Sequence, residues 1–329
     1  MDSKKGSVCV TGGTGFIGSW IVKMLLEDGY HVNTTSRIDP ECKRDISFLT
    51  SLPSASERLQ IFNADLDKPE TFRPAIKGCI GLFHVAHPLD FEETEPEDVK
   101  VKRVTKGLQG ILQACADAKT IRRVVYTSSI TAACVGAKTG PSGLIDERSW
   151  TDVEFVRRQR LFGGPYFVTK TLAEKAAIDC ADELGLDLVC VLPTTVTGPF
   201  ICKHIPITVY ASMALIFADK LHNKHVKDTS LVHVDDVARA HIHLFEYPNA
   251  KGRYICAAVE FTIAELCEFI SARYLEYKMP NPEYWMDVKP LKFSGASTKK
   301  LEDTGFKYKN GLAEMFDDAI KSCKEKGFL

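Results

Sequence analysis

The opening run Ser7–Thr11 (SVCVT), followed at once by Thr11 to Gly18 (TGGTGFIG), constrains this chain more than any other feature. A short apolar strand leads into glycines and then into a helical pattern over 16–28. Gly12, Gly15 and Gly18 stand three apart, which leaves backbone without side chains where a pyrophosphate would approach the unpaired N–H groups of a helix N-terminus. Phe16 and Ile17 open that helix beside the phosphates, and the last glycine lets helix and strand pack closely. An ordinary glycine-rich turn has the same spacing. The strand–turn–helix context is what points to a dinucleotide site.

The alternation then continues. Strands are expected at 31–35, 60–63, 81–85, 123–127 and 188–192, with helices over 97–118 and 166–184 between them, and Gly29 ends the first helix. Strands separated by helices of this length imply βαβ units, and hence a doubly wound parallel sheet of the Rossmann type covered on both faces. After Pro193 the rhythm breaks at Pro199 and Pro206, and the polar stretch 220–227 follows. A strand at 230–234 and a helix over 235–246 are expected to return to the main sheet. The division is therefore a nucleotide-binding domain of 1–192 plus about 226–252, and a smaller substrate-binding lobe of 193–225 and 253–329, with the cleft between them.

Composition excludes several classes. Lys and Arg (42) are balanced by Asp and Glu (43), with no basic run for a nucleic acid. The eleven cysteines lie singly, with no Cys-x-x-Cys pair and no Cys/His cluster at zinc spacing, so no disulfide framework and no metal are expected. His241 and His243 are two apart on a helix and point to different faces. The first six residues lack an apolar core for a signal peptide, and no apolar run reaches membrane-spanning length. The expectation is a cytoplasmic protein, monomeric or weakly dimeric, acting on a small molecule.

The end of the second strand separates NAD from NADP. An acidic residue there would hydrogen-bond the ribose 2′-hydroxyl. This chain has Thr35-Ser36-Arg37, with Lys43 and Arg44 soon after, while Asp39 comes too late. The planar fork of Arg37 suits a 2′-phosphate, so NADP(H) is the expected cofactor. Asp65 and Leu66, after the third strand, lie where an adenine ring would be gripped.

Tyr166 and Lys170 are one helical turn apart, so an ammonium is expected close to a phenol, lowering its pKa from about 10. Such a phenol can hand a proton to a carbonyl oxygen as hydride reaches the carbon. About one chance Tyr-x-x-x-Lys match is expected in a chain of this composition, and a second occurs at Tyr274 and Lys278. Position decides for Tyr166, which opens a helix in the nucleotide-binding half. Ser129, beyond the strand 123–127, is the expected third member, because ligands bind outside the carboxyl ends of parallel strands. Thr127 and Ser128 are read as hydroxyls that satisfy turn backbone.

Taken with VCVTGGTGFIGSW, KRDISFLTSLP, FNADL, VVYTSS, YFVTKTLAEKAA, VHVDDVARAHI, KGRYIC and MFDDAIKSCKEKGFL, these residues resemble the plant extended short-chain dehydrogenases/reductases of the dihydroflavonol 4-reductase and vestitone reductase family almost end to end. The resemblance implies an NADPH-dependent carbonyl reductase of specialised metabolism acting on an (iso)flavonoid-like or other polycyclic ketone or aldehyde, with Ser129, Tyr166 and Lys170 catalytic. It also implies Arg37 with Lys43 or Arg44 at the 2′-phosphate, Val85, Ala86 and Pro193 against the cofactor, and Ile130 and Cys134 along the substrate pocket. One departure is His87, which replaces the family's small hydroxyl beside the nicotinamide ribose. It is read as a pocket residue that binds or protonates substrate, or only reshapes the site. Cys134 stands where dihydroflavonol reductases keep an asparagine, which argues against a dihydroflavonol. A wider relative, noscapine synthase, makes an alkaloid substrate the second reading. A nucleotide-sugar epimerase or dehydratase would normally keep NAD and an acidic ribose ligand. A non-catalytic NADPH-binding protein would tolerate loss of Tyr166 or Lys170.

Overall fold

Val8, Cys9 and Val10 on the first strand are all fully buried, a strand apolar on both faces. In the computed structural model, which describes residues 5–37, 45–88, 95–161, 163–217, 229–277 and 295–329, this strand lies inside a seven-stranded sheet. Its members are β1 (Ser7–Thr11), β2 (His31–Ser36), β3 (Leu59–Asn63), β4 (Gly81–His84), β5 (Arg123–Thr127), β6 (Leu188–Pro193) and β9 (Gly252–Cys256), in the order β3-β2-β1-β4-β5-β6-β9. Every pairing in it is parallel. The order reverses direction between β1 and β4, the switch point at which such sheets bind ligands.

Side chains alternate across the sheet with period two. Val8, Val10, Phe83, Val125 and Val191 join a core with helix α1 (Phe16–Glu27). Cys9, Leu82, Val124 and Cys190 face the opposite core with α2 (Glu97–Ala118) and α3 (Gly164–Leu184). Helix α1 buries Gly18, Ile21, Val22, Leu25 and Leu26, one stripe at helical spacing, and stops where Gly29 takes φ +87°.

The expected return after Pro193 takes another form. The helix does return: Val234, Val237, Ala238 and Leu244 of α4 (Val234–Glu246) join the core of the first face. The strand before it, β8 (Thr229–His233), does not. It pairs with β7 (Thr195–Thr197) and β10 (Val259–Phe261) in a separate three-stranded sheet. The seventh strand of the main sheet is β9, which the sequence reading had placed in the lobe. Gly252–Cys256 (GRYIC) is buried from Arg253 onward although it lies at the edge of the sheet, and its spacing from Pro193 gave no sign of which sheet it would join. Beyond it, α5 (Ile263–Arg273) and α6 (Leu312–Glu325) form a further core with Phe200, Met213, Leu215 and Leu231.

Among the described residues, no helix is long and apolar enough to cross a membrane, and no group of His, Cys, Asp and Glu could hold a metal. His241 is buried against Thr127 and the Val237 carbonyl, whereas His243 meets Thr304. The ten cysteines among the described residues are all free.

Candidate active site

The glycines of the first turn are required by contact. Gly12 has φ +72°, and a Cβ there would lie 2.9 Å from the Ala86 Cα. A Cβ on Gly18 would come within 2.2 Å of the Gly12 carbonyl oxygen, and one on Gly13 within 1.9 Å of Thr34 Oγ1. Gly15 closes the turn, its N–H donating to the Gly12 carbonyl at 3.0 Å. Phe16 and Ile17 then open α1 with no side-chain cap and no acidic residue in the first turn, among the described residues. Such a terminus leaves N–H groups and the positive end of the helix dipole for an anion.

At the adenosine end, Thr35 Oγ1 accepts the Gly12 N–H at 3.2 Å, and buried Ser36 has a hydroxyl with no partner among the described residues. Arg37 follows directly and is exposed. Lys43 and Arg44 lie outside the described residues. Asp65 uses one carboxylate oxygen to accept the Asp67 N–H at 3.1 Å, so it shapes the turn beyond β3, and the Leu66 carbonyl packs against Gly107 of α2. An uncapped helix N-terminus, a glycine cradle that any Cβ would fill and an orphaned hydroxyl beside Arg37 fit a dinucleotide carrying a 2′-phosphate.

Thr11 and His84, which sequence reasoning missed, join the two sides of the switch point. Thr11 Oγ1 accepts the N–H groups of Val85 and Ala86, each at 3.1 Å, and lies 2.8 Å from His84 Nδ1. A hydroxyl that already accepts two N–H groups gives its own proton to Nδ1, so His84 carries hydrogen on Nε2. Burial pushes this imidazole down to about 3, with the Lys170 charge adding to the effect, and it stays neutral. The signal available in sequence was two polar residues at the ends of otherwise apolar strands.

Ser129, Tyr166 and Lys170 converge at the end of β5. Ser129 and Tyr166 share a hydrogen bond, and Ser129 Oγ also accepts the Thr131 N–H at 3.2 Å. Lys170 donates to the Thr127 carbonyl at 3.1 Å and lies 5.7 Å from the centre of the Tyr126 ring. The expectation that lysine lowers the phenol is corrected. Burial pushes Tyr166 up to about 12, and the Ser129 hydrogen bond recovers only part of that. Burial also pushes Lys170 down to about 7, against the pull of Glu174. In this low-dielectric position desolvation outweighs the attraction between neighbours.

The reading of Thr127 and Ser128 as turn hydroxyls is corrected too. Thr127 Oγ1 meets His241 Nε2 at 2.8 Å, and Ser128 donates to Glu174 at 2.5 Å. Glu174, with no exposed surface, is also paired with Arg253 of β9 at 2.7 Å. Sequence reasoning stopped at Tyr166 and Lys170; the next step of four along the same helix reaches Glu174.

His87 lies edge-on to Tyr166, with ring centres 5.8 Å apart, and its Nε2 is buried without a partner among the described residues. Burial first, then the charge of Lys170, holds it well below the usual histidine range. That removes the proposed role as proton donor near neutrality and leaves a neutral imidazole able to exchange one hydrogen bond. Ile130 is nearly buried in the short 3-10 turn Ile130–Ala132 that follows Ser129. Cys134 is tied to Thr151 and packs between two apolar clusters, its thiol pushed up to about 12 by burial. Val85 and Ala86 stand opposite the glycine turn, and buried Pro193 ends β6 opposite Cys256. The second tyrosine is structural: α5 stops at Arg273, and Tyr274 donates to Asp317 at 2.7 Å. Lys278 lies outside the described residues.

The profile of the NAD dependent epimerase/dehydratase family matches residues 8–257. Vestitone reductase of Medicago sativa is 46% identical over 329 residues, covering all of both chains. Dihydroflavonol 4-reductase of Arabidopsis thaliana is 44% identical over 331 residues, covering all of this chain and 85% of that one. The crystal structure of alfalfa vestitone reductase superposes with a TM-score of 0.87 at 43% identity, over 99% of this chain and 100% of that one.

Proposed function

The chain belongs to the NAD dependent epimerase/dehydratase family, and we propose that within it the protein is an NADPH-dependent reductase of polycyclic, (iso)flavonoid-like ketones or aldehydes. The observation that carries this reading is the Ser129–Tyr166 hydrogen bond at the carboxyl end of β5, with Lys170 one turn beyond. When bound, NADPH supplies the hydride. Ser129 orients the carbonyl oxygen, and Tyr166 gives it the proton from a phenol that burial keeps protonated. Lys170 holds the nicotinamide ribose. Gly12, Gly15, Gly18, Phe16 and Ile17 receive the pyrophosphate, Asp65 and Leu66 border the adenine, and Val85, Ala86, His87 and Pro193 border the nicotinamide half.

The family's name points to NAD, and Arg37 at the end of β2 points to the 2′-phosphate of NADPH. A charge-assisted contact is worth about 1.5–3 kcal/mol. Arg37→Asp is therefore expected to shift the ratio of kcat/KM for NADPH over NADH by about 10²-fold or more toward NADH. An unchanged ratio would remove Arg37 from the cofactor site.

Relatives named for vestitone and dihydroflavonol reduction support a ring ketone flanked by aromatic rings. His87 is neutral and therefore not suited as the counter-charge or proton donor of a basic alkaloid intermediate, so the alkaloid reading gains no support. His87→Thr is expected to raise KM for the preferred ketone by about 2- to 10-fold, the worth of one neutral hydrogen bond. An unaltered substrate profile would reduce His87 to packing. The test of the function is NADPH consumption with isoflavanones, dihydroflavonols, phenolic aldehydes and alkaloid carbonyls. Turnover of the aromatic ring ketones is the expected result. Tight NADPH binding with no turnover across the panel would refute it in favour of a cofactor-binding protein.

A further inference from the structure

Three side chains of α3, at steps of four residues, meet three consecutive residues at the end of β5. Tyr166 reaches Ser129, Lys170 reaches the Thr127 carbonyl, and Glu174 reaches the Ser128 hydroxyl. The third rung is unusual in carrying a carboxylate with no exposed surface. A buried anion needs a partner. Arg253 provides it from β9, and is itself fixed by the carbonyls of Glu147 at 2.9 Å and Ser149 at 2.5 Å, with its guanidinium 3.7 Å from the centre of the Trp150 ring.

We propose that Glu174, clamped by Arg253 and tied to Ser128, is a positioning residue for Lys170. It sets the register of α3 against β5 and supplies the negative charge that keeps the ammonium protonated for its contact with the cofactor. This rests on the reading of Lys170 as a cofactor contact. A buried ion pair that merely joined α3 to β9 would leave the titration of Lys170 alone.

The surroundings of Lys170 make its titration readable. From β4 and the turn after it come His84 and His87, both held well below the usual histidine range by burial. From β5 comes Tyr126, raised by burial, and from α3 itself Tyr166, up at about 12, together with Glu174. Lys100 and Arg103 of α2 act on His87, and Arg253 stands behind Glu174. Burial lowers Lys170 to about 7, inside the range from pH 6 to 10, and Glu174 raises it against that. Without the carboxylate, the ammonium is lost at lower pH.

The experiment follows the dissociation constant of NADPH by fluorescence between pH 6 and 10, which needs no substrate. Wild type is expected to bind more weakly as pH rises, with a midpoint that Lys170→Met abolishes. Glu174→Gln is expected to move that midpoint down by about one unit or more, the usual effect of an opposite charge at close range, and Glu174→Asp to restore most of it. Glu174→Gln leaves Arg253 buried and unpaired, which costs stability, so a second variant is measured beside it. The double variant Glu174→Gln/Arg253→Gln removes both charges together and is expected to show a smaller shift of the same sign, because the more distant cation it also removes had opposed the ammonium. Midpoints in the folded variants that superimpose on wild type would overturn the proposal. A wild-type protein whose NADPH affinity Lys170→Met leaves unchanged at every pH would overturn both the proposal and the reading of Lys170 beneath it.

Discussion

Tyr166→Phe is expected to lower kcat for ketone reduction by about 10²–10⁴-fold, the usual worth of a positioned general acid, while NADPH binding is preserved. The ring keeps its packing and its edge contact with His87. What disappears is the hydroxyl shared with Ser129, and with it the proton that would neutralise the oxygen as the carbon is reduced. Burial holds this phenol near 12, so it is protonated across the neutral range and suited to donate. Steady-state kinetics beside an NADPH titration would check both halves of the prediction. A variant that kept a tenth or more of the rate would sink the assignment. So would a Tyr274→Phe variant that lost activity, since Tyr274 is committed to Asp317 in the C-terminal core.

Arg123→Met is expected to cost about 1–3 kcal/mol of stability, the cost of leaving buried acceptors unpaired, since the partner Asp187 is 41% exposed and is left to solvent. Arg123 is 7% exposed at the start of β5. Its guanidinium meets Asp187 at 2.7 Å, just before β6, and donates to the carbonyls of Leu244 at 2.8 Å and Tyr247 at 2.6 Å. Longer contacts reach Phe245, Pro248 and Ala250. One side chain therefore caps the end of α4 and ties it to two strands, and methionine fills the volume while leaving those carbonyls unpaired. With the usual unfolding entropy per residue, the melting temperature should fall by about 1.5–4 °C. Differential scanning calorimetry would show this, and a transition unmoved from wild type would contradict it. The site lies at the opposite end of β5 from Ser129, so the NADPH affinity of the folded fraction should be retained.

Much of the candidate site could be read directly from the chain because its rules are local. The glycine turn needs backbone without side chains within one short segment, and the step from Tyr166 to Lys170 is a single helical turn. The strands β1, β4 and β5 show as buried apolar runs because both faces of the sheet are covered. Even the decoy at Tyr274 could be set aside by its position. The substrate side was less legible. Cys134 turned out to be packed against Thr151, because its environment comes from the segment near 151 and from α3, which the order of residues around it does not disclose.

What the sequence by itself determined was a Rossmann-type βαβ architecture, the glycine turn and the candidates for the reacting side chains, each a matter of periodicity or spacing along one stretch. Only the tertiary structure decided that β9 rather than β8 completes the sheet, that Thr11 and His84 lock the switch point, and that Glu174 and Arg253 stand behind Lys170. It also set the directions in which Tyr166 and Lys170 shift. Pairing between strands and the removal of water from a charged group depend on residues far apart in the chain, and the energy of a buried charge is set by everything packed around it.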